Sequence, residues 1–361
     1  MSSKSIITTA SLISNDASTA IKGLLMLLII FGHSGMLTTD FATGERTFFW
    51  QWLYNFHVYM FMILPFIYGY KYSEGKENEI LEKRGKWYVD IQRLKRDIKY
   101  NLIKIGVPYC WIFVFSAIIF VTVGGGSFNL KGMLYAFFFG NQSLMDKYIG
   151  FNFVWFLPAM LALTVMKSLW YNSSRAVRYC MLATSTVLWL LAIFRVLPQN
   201  TAGMYVPFSL SQAFYYLLLG LTARWLVEKT AIKKALPWIV VIIVAITSMM
   251  YCQRKMDWPP VISYTAFYRL VLPVLVFLLL YGISGCLSKS RLLSIIGKYS
   301  FQVYLVHVYV INILQMIVLR FFPQSIGLGI AIYVLTLAIS LGVAIVMVKV
   351  TVINKVLFPK G

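Results

Sequence analysis

Apolar stretches close to the ~20 residues that an α-helix needs to cross a bilayer recur along most of the chain. Short polar segments separate them, so the pattern predicts an all-α, polytopic membrane protein. We place ten spans, with approximate bounds 20–37, 48–70, 103–123, 152–171, 178–197, 208–226, 236–252, 262–285, 299–319 and 326–349. A shorter apolar piece, 133–140, is too short to span, and we expect it to lie in the interface or to re-enter the membrane.

The polar segments between the spans leave no room for a separate soluble domain. We interpret residues 1–19 as a short polar lead, 20–352 as one ten-helix membrane domain and 353–361 as a tail. The largest hydrophilic segment, 71–100, is interpreted as a charged amphipathic loop on the inner side.

Composition narrows the class further. Of 361 residues, 60% are hydrophobic and only 12% are charged, whereas a soluble domain carries roughly 45–50% and about 25%. With 33 Lys and Arg against 12 Asp and Glu, the net charge is +21. A soluble globule, a nucleic-acid binder with a polar basic face and a disordered polycation are all excluded. The four scattered cysteines suggest neither a metal site nor a disulfide framework.

The basic residues test the topology independently. With the N-terminus inside, nearly all of them fall in inner loops or at inner span ends. Those in outer loops and at outer span ends are Arg46, Lys131, Lys147, Arg195, Arg254, Lys255 and Arg320. This asymmetry supports ten helices with both termini in the cytoplasm.

Ionisable residues inside the predicted spans are few. None of the 12 acidic residues lies deep in a span, which disfavours a proton- or cation-coupled transporter. His33, His57 and His307 do fall inside spans, and a rise of about 1.5 Å per residue puts all three near or just outside the mid-plane. Arg269 is the one deep cation and must face a cavity, carbonyl groups or an anion, or extend outward to the interface. Each is a candidate functional residue, with helix-to-helix hydrogen bonding as the structural alternative for the histidines.

Five short motifs, built from basic, glycine, aromatic or histidine residues, stand out along the chain. They are Lys22-Gly23-Leu24 with Phe31-Gly32-His33-Ser34; Phe56-His57 with Tyr68-Gly69-Tyr70; Arg93-Leu94-Lys95-Arg96 with Pro108-Tyr109; Val154-Trp155-Phe156-Leu157; and Ile296-Gly297-Lys298-Tyr299-Ser300 with Tyr304-Leu305-Val306-His307. In this order they resemble the motifs of the acyltransferase type 3 family of membrane acyltransferases. Its hallmark is a basic residue, ten residues and then His, the spacing of Lys22 and His33.

The chain departs from the family pattern in places. Family members often have an acid just before the basic residue of the first helix, where this chain has Thr19, and Lys22 replaces the commoner Arg. In the second helix, Val58-Tyr59-Met60 stands where Met-Pro-Leu is usual. These departures bear on acceptor specificity more than on the reaction class.

The resemblance implies an O-acyltransferase of the bacterial cytoplasmic membrane. Its co-substrate would be cytoplasmic acyl-CoA, with acetyl-CoA expected and succinyl open. Its acceptor would be a carbohydrate or lipid-linked glycan. No bound cofactor, metal or nucleic-acid partner is expected, the lipid bilayer is the surrounding partner, and the oligomeric state is left open. The alternative is an exporter or flippase of polysaccharide or lipid intermediates without acyl-transfer chemistry.

Acyl transfer from a thioester to a hydroxyl needs a base, a stabiliser for the developing oxyanion and a hold on the anionic donor. His33 is the candidate base, because histidine titrates near neutral pH and this position matches the family's catalytic His. No intramembrane carboxylate is available to orient it. Orientation would have to come from Ser34, a carbonyl group, a Tyr or Asn side chain, or from Asp40 or Glu45 folding in. Direct transfer and a relay through an acylated His33 both remain open.

The remaining candidates divide by depth. Lys22, Arg93 and Arg96 lie toward the inner side and are candidate donor-binding residues; a positive-inside anchor or an anionic-lipid patch is the alternative. The candidate cavity or acceptor-lining residues are His57, Asn152, Trp155, Arg269, Tyr304 and His307. Helix capping by Asn152 and an interfacial position for Trp155 are the alternatives for that pair.

Overall fold

The computed structural model describes residues 12–38, 57–67, 81, 83–193, 208–255 and 262–359. Within these ranges the chain is helical and forms no strand, which confirms the predicted all-α class. The helices are α1 (Asn15–His33), α2 (Gly35–Thr38), α3 (His57–Ile67), α4 (Ile91–Asn101), α5 (Val107–Thr122), α6 (Leu130–Phe139), α7 (Gln142–Ile149), α8 (Phe156–Tyr171), α9 (Arg175–Ile193), α10 (Phe208–Lys229), α11 (Ile232–Lys255), α12 (Ile262–Gly282), α13 (Ser284–Leu287), α14 (Arg291–Lys298), α15 (Ser300–Val318), α16 (Ile326–Lys349) and α17 (Thr351–Leu357).

Six helical stretches in the described ranges are long and apolar enough to cross a membrane. They are Asn15–His33, Ile91–Thr122, Asn152–Tyr171, Ile232–Met249, Ser300–Val318 and Ile326–Lys349. They coincide with six of the predicted spans, and α3, α9, α10 and α12 overlap the other four. The chain is therefore an integral membrane protein, while the total of ten spans and the orientation of the termini stay predictions.

The chain divides into two compact units. The first unit comprises residues 1–12, 65–221 and 355–361, and the second comprises 13–64 and 222–354. The second unit contains α1 and the helices from α11 to α16, and the first contains those from α4 to α9.

In the second unit, α1 and α14 touch backbone to backbone at two glycines. A Cβ atom added to Gly23 would lie 2.0 Å from the carbonyl oxygen of Leu293, and one added to Gly297 would lie 1.8 Å from that of Thr19. Since real Cβ atoms do not come this close to backbone, only glycine fits at either position. Small residues at such contacts let membrane helices approach closely and gain dispersion energy. This contact fixes where the chain leading into α15 lies beside α1.

Helix α16 packs beside α1 in the same unit. The Tyr333 hydroxyl donates to the carbonyl oxygen of Leu27 at 3.3 Å, and its ring meets Phe31 edge to face with centroids 6.1 Å apart. Ile332 on α16 also forms a small core with Ile311 of α15. The C-terminal half of α1 therefore contacts α16, which in turn packs on α15.

In the first unit, α4 begins at Ile91, well before the start at 103 that hydropathy predicts. A π-helical turn, Leu102–Gly106, joins it to α5, so one helical stretch runs from Ile91 to Thr122. Pro108 explains the turn, since a proline lacks an N–H and its ring crowds the carbonyl four residues earlier, which is that of Lys104. Residues 91–100, the last third of the predicted 71–100 loop, are thus helical.

Hydrogen bonds tie the start of α4 to the loop between α8 and α9. The Asp90 N–H donates to the Asn172 carbonyl at 2.8 Å, and the Asn172 amide donates to Asp97 Oδ2 at 3.0 Å. The Ser174 hydroxyl donates to the Lys86 carbonyl at 2.6 Å, next to an isolated antiparallel bridge between Val89 and Ser173. These bonds set the direction in which α4 presents its basic residues.

Candidate functional site

His33 is the last residue of α1, where its imidazole meets that of His307 on α15. The two ring centroids lie 5.2 Å apart with a 58° angle between the ring planes. Ser34 ends α1 by donating its N–H to the Phe31 carbonyl at 3.0 Å and its hydroxyl to the Ile30 carbonyl at 3.1 Å. Because Ser34 interrupts the helix there, the imidazole of His33 stands at a helix C-terminus, where a positive charge is favoured.

His307 is completely buried in the middle of α15. Its Nδ1 lies 2.7 Å from the carbonyl oxygen of Tyr304 and 3.3 Å from that of Val303. A carbonyl oxygen only accepts, so Nδ1 is the nitrogen that carries the proton. In the neutral ring, Nε2 is then an acceptor. The ring of Tyr304 lies beside that of His307, with centroids 5.5 Å apart.

The spacing of these residues explains how the two histidines come together. Gly23 precedes His33 by ten residues, and Gly297 precedes His307 by ten residues. Because the two glycines touch and α15 runs alongside α1, equal lengths of chain carry the two histidines to the same level. The backbone contact at the glycines therefore positions a pair of imidazoles about 15 Å further along α1.

Lys22 lies on the same helix as His33, next to the glycine contact. Eleven residues of helix place its Cα roughly 16 Å from that of His33 along the axis, and its side chain is half-buried. The roles of Lys22 in donor binding and of His33 as the base stay predictions.

Arg93 and Arg96 lie in the first unit on α4, three residues apart and hence on one face. Asp90 caps the helix by accepting from the Arg93 N–H at 3.1 Å, and its other carboxylate oxygen lies 3.5 Å from Arg93 Nε. The Arg93 side chain remains 42% exposed, and Arg96 is exposed. Both guanidinium groups are thus on a helix surface that an anion can reach.

Asn152 and Trp155 form the two ends of a 3-10 turn that leads into α8. Asn152 is exposed and Trp155 is half-buried, with its ring edge to face with Phe156 at 6.3 Å. Phe151, rather than Asn152, occupies the N-cap position of this turn. Capping therefore does not explain the asparagine.

Two predicted residues have side chains outside the described part of the structure. His57 opens α3, and Arg269 lies on α12. In the described ranges, no three His, Cys, Asp or Glu side chains come together in a way that could hold a metal ion.

The contact between His33 and His307 is the feature that the sequence alone did not reveal, since His307 was assigned only to the cavity lining. The equal glycine-to-histidine spacing in the first and ninth predicted spans was the available signal.

Comparison with known proteins gives one match. A family model described as an acyltransferase domain matches residues 15–348, nearly the whole chain. No curated protein and no solved structure matches the chain.

Proposed function

The chain belongs to the acyltransferase type 3 family, and on that premise we propose which acyl group it moves, and how. The donor is cytoplasmic acyl-CoA, with acetyl-CoA as the expected form. The acceptor is a hydroxyl of a carbohydrate or a lipid-linked glycan, and His33 is the general base. The protein lies in a bacterial cytoplasmic membrane, and the product of the reaction is an O-acylated glycan of the cell envelope.

The observation that carries this proposal is the pair of imidazoles formed by His33 and His307 inside the family-matched domain. Imidazole is the side chain best suited to take and return a proton near neutral pH. His33, at the end of a helix, is half-buried, whereas His307 is completely buried, so His33 is the more accessible of the two imidazoles.

The acyl transfer needs no lasting covalent intermediate on the protein. A nitrogen of His33 takes the proton of the acceptor hydroxyl as that oxygen bonds to the thioester carbonyl carbon. The carbon–sulfur bond then breaks, and the coenzyme A thiolate takes the proton back from the imidazolium of His33. The C-terminus of α1 stabilises this imidazolium during the step, since its carbonyl groups carry partial negative charge.

Cations on the inner side would hold the anionic donor. Arg93 and Arg96 offer two guanidinium groups on one face of α4, and guanidinium forms paired, charge-assisted hydrogen bonds with phosphate. Lys22 on α1 is a further candidate for contact with the donor's phosphates or thioester carbonyl. The candidate acceptor-lining residues are Asn152 and Trp155 in the first unit and Tyr304, His57 and Arg269 in the second.

A comparison of surface glycans tests this function. Cells that make the wild-type protein, cells that make His33→Ala and cells that make neither are compared by mass spectrometry of their envelope glycans. We expect an acyl mass shift only with the wild-type protein. If the amount of surface glycan changes between the strains while its acylation does not, the exporter or flippase alternative gains and the transferase proposal fails.

A further inference from the structure

The sequence does not show which group orients the imidazole of His33. A general base on a flexible imidazole is inefficient unless a second group fixes its ring and its tautomer, as the carboxylate does in a serine-protease triad. No acidic residue falls deep in a predicted span. The hydroxyl of Ser34, a nearby candidate, donates to the Ile30 carbonyl.

We propose that His307 is the positioning residue for His33, in the role that a carboxylate fills elsewhere. In the reacting state one ring N–H of His33 donates to Nε2 of His307, which leaves the other nitrogen of His33 unprotonated and directed at the acceptor hydroxyl. This inference rests on the proposed function of His33 as the base.

The ring separation is compatible with this hydrogen bond. The hydrogen bond between His33 and Nε2 of His307 is not formed in this structure. The nitrogens of an imidazole lie on the perimeter of the ring, so they can come closer to a facing ring than the two centroids do. Centroids 5.2 Å apart therefore leave room for a nitrogen-to-nitrogen hydrogen bond of ordinary length, about 2.9 Å. Such bonds are often long in unliganded enzymes and shorten when substrate binds.

The direction of the bond follows from the backbone of α15. The Tyr304 carbonyl accepts from Nδ1 of His307 at 2.7 Å, so the proton of the neutral ring is on Nδ1 and Nε2 presents its lone pair. The chain of donors then runs from His33 through His307 to the Tyr304 carbonyl.

The same arrangement stabilises the positive charge that forms on His33 during the reaction. When His33 takes the acceptor proton, both of its nitrogens carry hydrogen, and the one facing His307 becomes a charge-assisted donor. A neutral imidazole stabilises this cation less than a carboxylate would, and the C-terminus of α1 adds to the stabilisation.

Two amide variants test the role of Nε2. In His307→Gln the amide oxygen can stand near the place of Nε2 and accept from His33, whereas the shorter amide of His307→Asn reaches only the place of Nδ1. We expect purified His307→Asn to lose about 10²–10⁴-fold in kcat, the range for a lost acid–base function. The kcat of His307→Gln should be at least about tenfold higher than that of His307→Asn. The KM for the acyl donor should change little in either variant.

Val303→Ala provides the matched control, since it removes buried volume one turn away on the same helix face. It should lower the thermal midpoint and leave kcat per folded protein close to wild type. Equal kcat values for His307→Gln and His307→Asn, or an equal loss in Val303→Ala, would overturn the positioning role.

The outcome also separates this inference from the proposed function. If His33→Ala is inactive while both amide variants keep the wild-type kcat, only the role of His307 is wrong. If His33→Ala keeps the wild-type kcat, the base assignment itself is wrong and the role of His307 falls with it.

Discussion

At the scale of single residues, the site depends on two positions that have no side chain. Gly23 and Gly297 let the backbones of α1 and α14 touch, and that contact sets the level at which His33 and His307 meet. A glycine in a helix ordinarily costs about 1 kcal/mol relative to alanine. Here the close packing offsets that cost, and it also brings His33 and His307 to the same level.

Gly297→Ala should therefore damage both stability and catalysis. The new methyl group would lie 1.8 Å from the Thr19 carbonyl oxygen, so the two helices must separate. We expect a loss of about 1–3 kcal/mol, as for other overpacked sites, together with a lower kcat because His307 moves with α15. Thermal unfolding in detergent and acyl-transfer rates on the remaining folded protein measure the two effects.

Gly342→Ala is the control for this substitution. Gly342 lies within α16, and a Cβ added there meets no other atom within 4 Å. Alanine should leave stability unchanged or raise it by up to about 1 kcal/mol. A Gly297→Ala protein as stable and as active as Gly342→Ala would show that the close helix contact is not required.

At the scale of elements, α4 shows what hydropathy overlooks. The span prediction began at 103 because the preceding residues are charged, yet Asp90 caps a helix that starts at Ile91. An amphipathic basic helix carries no run of apolar residues, so a search for spans passes over it. The Asp90 cap and the shared face of Arg93 and Arg96 were visible in the sequence; the bonds from Asn172 and Ser174 that direct the helix come from the distant loop between α8 and α9.

Replacing Arg93 and Arg96 with Gln should weaken donor binding. Each charge-assisted hydrogen bond to phosphate is worth about 1.5–3 kcal/mol, so loss of one or both should raise the dissociation constant for coenzyme A about tenfold or more. Equilibrium binding of coenzyme A and of acceptor to the purified double variant measures this. Acceptor affinity should change far less.

A second double variant separates specific contact from general charge. Lys83 and Lys86 are exposed in the segment before α4, and changing both to Gln removes the same number of positive charges without touching the helix. A similar loss of donor affinity in both double variants would favour a diffuse electrostatic field, or an anionic-lipid patch, over a phosphate site.

At the scale of the whole molecule, the all-helical class and the membrane location could be predicted because both follow from composition and from the length of apolar runs. The meeting of His33 and His307 could not, since it joins residues from opposite ends of the chain and depends on backbone packing at Gly23 and Gly297. The equal spacings hinted at it but do not show which helices touch.

The charge distribution predicts the orientation in the membrane. In a cysteine-free background, Ser127→Cys and Gln324→Cys should react in intact cells with an impermeant thiol reagent, because both lie in predicted outer loops and are exposed. Thr230→Cys, exposed in the predicted inner loop between α10 and α11, should react only after the membrane is opened. The reverse labelling would overturn the assignment of the cytoplasmic side.

The central claim is that His33 performs the proton transfer in an acyl-CoA-dependent reaction. Its most direct test is a single-turnover measurement with purified protein, labelled acetyl-CoA and a glycan acceptor, comparing wild type with His33→Ala. We expect the wild type to move the label to the acceptor and release coenzyme A, and the variant to bind donor normally but transfer about 10²–10⁴-fold more slowly. Transfer by His33→Ala at the wild-type rate would contradict the account.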